Sequence, residues 1–179
     1  MTAILRPMTT ADLPAVLTLE HELFPEDAWT EQMFASELDG RAPGRFYLVA
    51  EDVGQIVGYA GLLAPEPDRS KHRREPAQAD VLTMAVTTAH WGEGVGSALL
   101  TALVAEAVRR GCLEVFLEVR ADNPRAQELY HRHGFTEFGL RRGYYQPSGM
   151  DAIVMRRSVD SPREPQRLKS APAASEDPQ

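Results

Sequence analysis

The chain has 179 residues, 43% of them hydrophobic and 25% charged, which is enough for one substantial core and not for two. A formal net charge of −7 argues against unaided binding to a nucleic-acid backbone, which depends on clustered Lys and Arg, and suits a basic or amine-bearing partner. The single cysteine, Cys112, cannot form an intramolecular disulfide, and no Cys/His cluster has the spacing of a zinc site, so no metal is expected.

The first residues lack a basic leader followed by an apolar run, and no apolar stretch approaches the roughly 20 residues that cross a bilayer. A soluble, cytoplasmic protein away from membranes is the expectation. Residues 4–6 form a short strand candidate. Thr10 then caps a helix with Leu13, Val16, Leu17, Leu19 and Leu23 on its apolar side, broken by residues 24–28. Thr30 caps a second, short helix containing Met33, Phe34 and Leu38.

Residues 46–51 and 55–63 are β-rich and flank Asp52-Val53-Gly54, a hairpin pattern. A polar stretch, 65–79, carries Lys71-His72-Arg73-Arg74 and reads as a solvated loop or as a dock for an acidic partner. Residues 81–86 form a third run. After a glycine loop, Leu99, Leu100, Leu103, Val104, Ala107 and Val108 recur at helical spacing until Gly111.

Residues 113–119 return to period two, with Leu113, Val115, Leu117 and Val119 on one face and Glu114, Phe116, Glu118 and Arg120 on the other. Asn123 and Pro124 open a helix that Gly134 closes, and strand candidates follow at 135–140 and 152–155. The sum is a mixed α/β domain of about seven strands and four helices over residues 1–157, with a disordered polar tail over 158–179.

The loop Gly92-Glu93-Gly94-Val95-Gly96 lies between a strand and a helix, where unpaired N–H groups favour an anion. It is no nucleotide-hydrolysing P-loop, because Ser97 follows Gly96 where that pattern needs lysine, and it lacks the third glycine of a dinucleotide fingerprint. From the loop alone, a phosphate site and a flexible turn both remain open.

Met84-Ala85-Val86, Gly94-Val95-Gly96, Leu117-Glu118-Val119-Arg120, Asn123, Leu129-Tyr130 and Gly134-Phe135, read together, resemble the GCN5-related N-acetyltransferase (GNAT) superfamily. Leu-Glu-Val-Arg-x-x-Asn, Leu-Tyr-x-x-x-Gly-Phe and Arg141-Arg142-Gly143-Tyr144-Tyr145 are similar to its ribosomal-protein-alanine N-acetyltransferase subgroup. The resemblance spans residues 4–157 and implies the acyl-CoA N-acyltransferase fold, with acetyl-CoA as co-substrate.

What the resemblance implies for the site is a cofactor splayed between two parting parallel strands. Met84, Ala85 and Val86 would meet the pantetheine arm, and Gly92, Glu93, Gly94, Val95, Gly96 and Ser97 the pyrophosphate. Asn123 would bond the pantetheine, orient Tyr130, or serve as a plain helix cap. The loop departs from the family in reading Trp91-Gly92-Glu93, without basic side chains, so backbone N–H groups are expected to do most of the holding.

The resemblance further implies Glu118 as general base for the amine and Tyr130 as acid for the leaving thiolate. Trp29, Tyr144 and Tyr145 would wall a peptide groove, or serve as staples for their own loops. The expected reaction is direct attack on acetyl-CoA by the α-amino group of a protein N-terminus, an alanine of a small-subunit ribosomal protein. A lysine or small-amine acetyltransferase and a non-catalytic acyl-CoA sensor are the alternatives.

Overall fold

Seven strands and four α-helices are formed by residues 3–65 and 77–159, the part of the chain that the computed structural model describes. β1 (Ile4–Pro7) leads through a 3-10 turn, Thr10–Asp12, into α1 (Leu13–Leu23), and α2 (Glu31–Leu38) follows. Then come β2 (Arg45–Asp52), β3 (Gln55–Leu63), β4 (Ala77–Val86) and α3 (Val95–Arg109). The chain continues through β5 (Cys112–Arg120), α4 (Pro124–Arg132), β6 (Thr136–Tyr145) and β7 (Met150–Ser158).

All seven strands join one mixed sheet in the order β1-β2-β3-β4-β5-β7-β6, and β4 with β5 is its parallel pair. That pair needs a crossover, which α3 supplies. The expected mixed α/β architecture is therefore the one observed.

Alternation along the strands divides the core between the two faces of the sheet. Leu48, Ala50, Ala60 and Leu62 join Leu99, Leu100 and Leu103 of α3. Their neighbours Tyr47, Val49 and Tyr59 join Leu13, Val16 and Leu19 of α1 and Phe34 of α2. On β5, Val115, Leu117 and Val119 belong to the α3 face, which turns Glu118 toward the α1 and α2 side. Leu113, expected on the apolar row, lies at the strand's start and is 40% exposed.

Three local features differ from expectation. Thr9, not Thr10, is the cap: its N–H donates to Asp12 Oδ2 at 2.8 Å, and Asp12 is held down to about 2 chiefly by hydrogen bonds from Arg6. β4 starts at Ala77, so the end of the expected 65–79 loop is strand, while 66–76 with its basic cluster lies outside the described residues. Ser158 closes β7, and the buried Val159 donates its N–H to the Leu113 carbonyl at 2.8 Å. The domain thus runs past the expected boundary at 157, and the rest of the expected tail lies outside the described residues.

Candidate active site

β4 and β5 pair in parallel from Ala77↔Cys112 to Val81↔Leu117 and then part. Beyond that point β4 stays paired to β3, through Tyr59↔Ala85 and Gly58↔Val86, while β5 stays paired to β7, through Glu118↔Val154 and Arg120↔Ala152. Each strand therefore presents one free edge to the gap. The Thr87 N–H donates to the Val57 carbonyl at 2.9 Å, which fixes the phase of the ladder. In an antiparallel pair every second residue points its backbone groups at the partner, so Met84 and Val86 point theirs into the gap.

The glycine loop closes one end of this gap. Gly92 and Gly94 have φ of 83° and 86°, and a Cβ on either would meet nothing within 4 Å, so both stand on open space. Glycine is required there by backbone conformation. The first bond of α3 runs from the Ala98 N–H to the Gly94 carbonyl at 2.9 Å, leaving the N–H groups of Val95, Gly96 and Ser97 without helix partners. A Cβ on Gly96 would lie 3.3 Å from Leu129, so a glycine here lets α3 start against α4.

Strand edge, loop and α4 together line a cavity of about 900 Å³. Met84, Ala85, Val86, Gly92, Gly94, Val95, Gly96, Ser97, Asn123 and Tyr130 all line it. Glu93 does not: its side chain is exposed outside the cavity, and its N–H is turned back to the His90 carbonyl at 3.4 Å. Asn123 accepts the Ala126 N–H on Oδ1 at 3.1 Å, a cap bond, and makes no hydrogen bond to Tyr130 among the described residues. Tyr130 is 7% exposed, packs edge-on to Phe135, and has its pKa pushed up to about 12 by burial.

Glu118 is the first β5 residue past the parting. It lies outside the large cavity and, through Oε1, within 3.3 Å of the Arg141 guanidinium. Arg141 belongs to a cluster of tyrosine rings and charged side chains. Tyr144 and Tyr145 meet edge-on at 5.1 Å, Arg141 lies over Tyr144 and Arg120 over Tyr145, and Arg120 reaches Asp27 of the α1–α2 segment at 3.7 Å. Burial, then the nearby Tyr144, Tyr130, Glu118 and Asp27, hold Tyr145 well above the usual tyrosine pKa. Tyr145 thus stands among the expected acid, the expected base and the α1–α2 segment.

Trp29 is tied inward. Its ring packs on Phe34 at 5.2 Å, and its backbone N–H donates to Oε1 of the buried Glu20 at 2.9 Å. It braces the α1–α2 segment, the staple alternative of the sequence reading.

Several site residues escaped sequence reasoning. Arg125, Arg132, His90 and His133 line the cavity beside a loop that carries no basic side chain of its own. His133 spans α4 and α3, with Nδ1 at 2.9 Å from the Leu129 carbonyl and Nε2 at 2.8 Å from the Ser97 hydroxyl. A carbonyl only accepts, so Nδ1 carries a hydrogen. Among the described residues no three His, Cys, Asp or Glu side chains are grouped as metal ligands, and no helix is long and apolar enough to cross a membrane.

A family model described as Acetyltransferase (GNAT) family matches residues 13–135. The chain belongs to the GNAT acetyltransferase family. It is 39% identical over 156 residues to the N-alpha-acetyltransferase RimI of Mycobacterium tuberculosis, covering 87% of this chain and 92% of the relative. To the ribosomal protein bS18-alanine N-acetyltransferase of Escherichia coli K12 it is 34% identical over 152 residues, covering 83% and 92%. The crystal structure of the ribosomal-protein-S18-alanine N-acetyltransferase from Escherichia coli matches with a TM-score of 0.69 at 27% identity, covering 93% of this chain and 98% of that one. The parted strands and the glycine loop are thus those of a GNAT domain, the family the motifs from Met84 to Phe135 resembled.

Proposed function

We propose that this GNAT domain transfers the acetyl group of acetyl-CoA to the α-amino group of a protein N-terminus, an alanine of a small-subunit ribosomal protein. The observation that carries the reading is the parting of β4 from β5 after Val81 and Leu117. It leaves a free strand edge beside the glycine loop on one side and Glu118 on the other. The identity to the two N-terminal acetyltransferases, extending over most of both chains, supports the substrate class.

The site fits acetyl-CoA on its own geometry. The Met84 backbone and the Val86 N–H offer the pantetheine amides the partners of a missing strand, the Val86 carbonyl already accepting the Trp91 indole N–H, and the orphan N–H groups at the start of α3 offer the diphosphate theirs. When bound, acetyl-CoA supplies the activated thioester. An α-amino group has a free pKa of about 7.7 to 8.0 and is mostly charged at neutral pH, so a base must take its proton. Glu118, 25% exposed at the edge of the gap, takes it directly or through one water.

The nitrogen then attacks, the N–C bond forms, and the C–S bond breaks. Tyr130, held protonated at any working pH by its value of about 12, gives its O–H to the departing sulfur. A free thiol has a pKa of about 8.5, so this donation is a hydrogen bond that stabilises developing thiolate and not an outright downhill transfer. A net charge of −7 suits a basic protein partner, and a cytoplasmic setting goes with this reading.

Turnover of acetyl-CoA on short peptides that differ only at the first residue tests the proposal. An alanine peptide should be turned over fastest, and its N-blocked form and free polyamines should not react. Equal rates on free and blocked peptides would overturn it.

A further inference from the structure

Between Trp91 and Ser97 the one charged side chain is Glu93, which is exposed and turned out of the cavity. A diphosphate held there meets the orphan N–H groups of α3 but no cation from the loop. The charge stands elsewhere. Arg125, on the first turn of α4, lines the same cavity with its guanidinium carbon 4.1 Å from the centre of the Trp91 ring.

This arginine is fixed from two sides. Trp91 is pinned because its indole N–H donates to the Val86 carbonyl, on the free edge of β4, at 2.8 Å. The first turn of α4 is pinned by the Asn123 cap and by Pro124 at the first helical position. A guanidinium stacked on an indole keeps its donors at the ring's margin, available to an anion. Among the described residues Arg125 has no carboxylate partner, whereas Arg132 in the same cavity wall is shared with Glu128 at 3.8 Å.

Resting on the reading of the site as an acetyl-CoA site, we propose that Arg125, stacked on Trp91, is the cationic half of the diphosphate site. It supplies from α4 the charge that the glycine loop lacks. Trp91 is the platform and not the ligand. Arg125 is accordingly a cofactor-positioning and selectivity residue: it distinguishes a phosphorylated acyl carrier from the bare pantetheine arm.

The test is calorimetric titration of coenzyme A, dephospho-coenzyme A and pantetheine into the wild-type chain, Arg125→Ala, Arg125→Lys and Trp91→Ala, at low and high salt. Arg125 is exposed, so its loss should leave the fold intact, which circular dichroism checks. Loss of one charge-assisted contact predicts on the order of 10- to 100-fold weaker binding of coenzyme A and of dephospho-coenzyme A to Arg125→Ala, with a shallower salt dependence. Pantetheine binding should be unchanged, lysine should restore part of the affinity, and Trp91→Ala should weaken the same two ligands.

Unchanged coenzyme A affinity in Arg125→Ala overturns the proposal, as does a loss confined to coenzyme A with dephospho-coenzyme A unaffected, because the contact would then be to the 3′-phosphate. A wild-type chain that binds none of the three ligands would instead remove the acetyl-CoA reading itself.

Discussion

Glu20→Gln tests how the α1–α2 segment is held. Glu20 is 2% exposed at the end of α1; Oε1 accepts the Trp29 N–H, while Oε2 is buried without a hydrogen bond. Burial, opposed by that hydrogen bond and reinforced by Asp27, raises its pKa from the ordinary 4.5 to about 7. Between these values the folded chain holds a proton that the unfolded chain has released, so stability falls as pH rises through this window and levels off above it. At about 1.4 kcal/mol for each tenfold in proton affinity, the loss approaches 3 kcal/mol by pH 8. Glutamine keeps an acceptor for Trp29 and cannot titrate; the cost of its buried NH₂ is the same at every pH.

Thermal melts of both proteins at pH 5 and pH 8 read the difference. Relative to wild type, Glu20→Gln should gain about 2.5 kcal/mol between the two pH values, or roughly 5 to 10 °C in Tm for a chain of this size. Parallel pH dependences for the two proteins would mean that Glu20 is ionised in the fold and that its burial costs no proton.

Glu118→Gln should lower kcat/KM at neutral pH by about 10²- to 10⁴-fold, and the deficit should shrink above pH 8 as the substrate amine loses its proton unaided; a pH–rate series reads both. Tyr130→Phe keeps the packing against Phe135 and should lower kcat by about 10²-fold with little change in Tm. Because Tyr130 is pushed up to about 12, its loss should not alter the shape of the pH–rate profile between pH 6 and 10. Val53→Asn should stabilise the β2–β3 hairpin by about 1 kcal/mol, visible in Tm, because Val53 has φ 48° in a two-residue turn and is 84% exposed.

Where the sequence was easy to read, the signal was local. The helix caps at Thr30 and Asn123, the turn at Val53-Gly54 and the period of β5 from Val115 to Val119 each depend on neighbouring residues, and each stands where expected. The start of β4 was hidden because Ala77, Gln78, Ala79 and Asp80 have weak strand propensity and are recruited by pairing with β5. Glu20 reads as one more charge on a helix until the fold buries it beneath Trp29.

The expectation of a site nearly without side-chain cations came from the loop by itself. Arg125 lies some thirty residues downstream, and only the approach of α4 to α3 at Gly96 and Leu129 puts it beside Trp91. The small residue at 96 and the Asn123-Pro124-Arg125 helix start were the available hints. Neither specifies which helix closes the cavity.

An N-terminal acetyltransferase and a lysine acetyltransferase differ in which nitrogen receives the acetyl group. The most direct measurement is the position of the acetyl group, by fragment-ion mass spectrometry, on a peptide that begins with alanine and contains an internal lysine, after incubation with the protein and acetyl-CoA. Acetyl is expected on the α-nitrogen of the first residue and none on the lysine. Acetyl on the lysine with the N-terminus still free would contradict N-terminal acetylation.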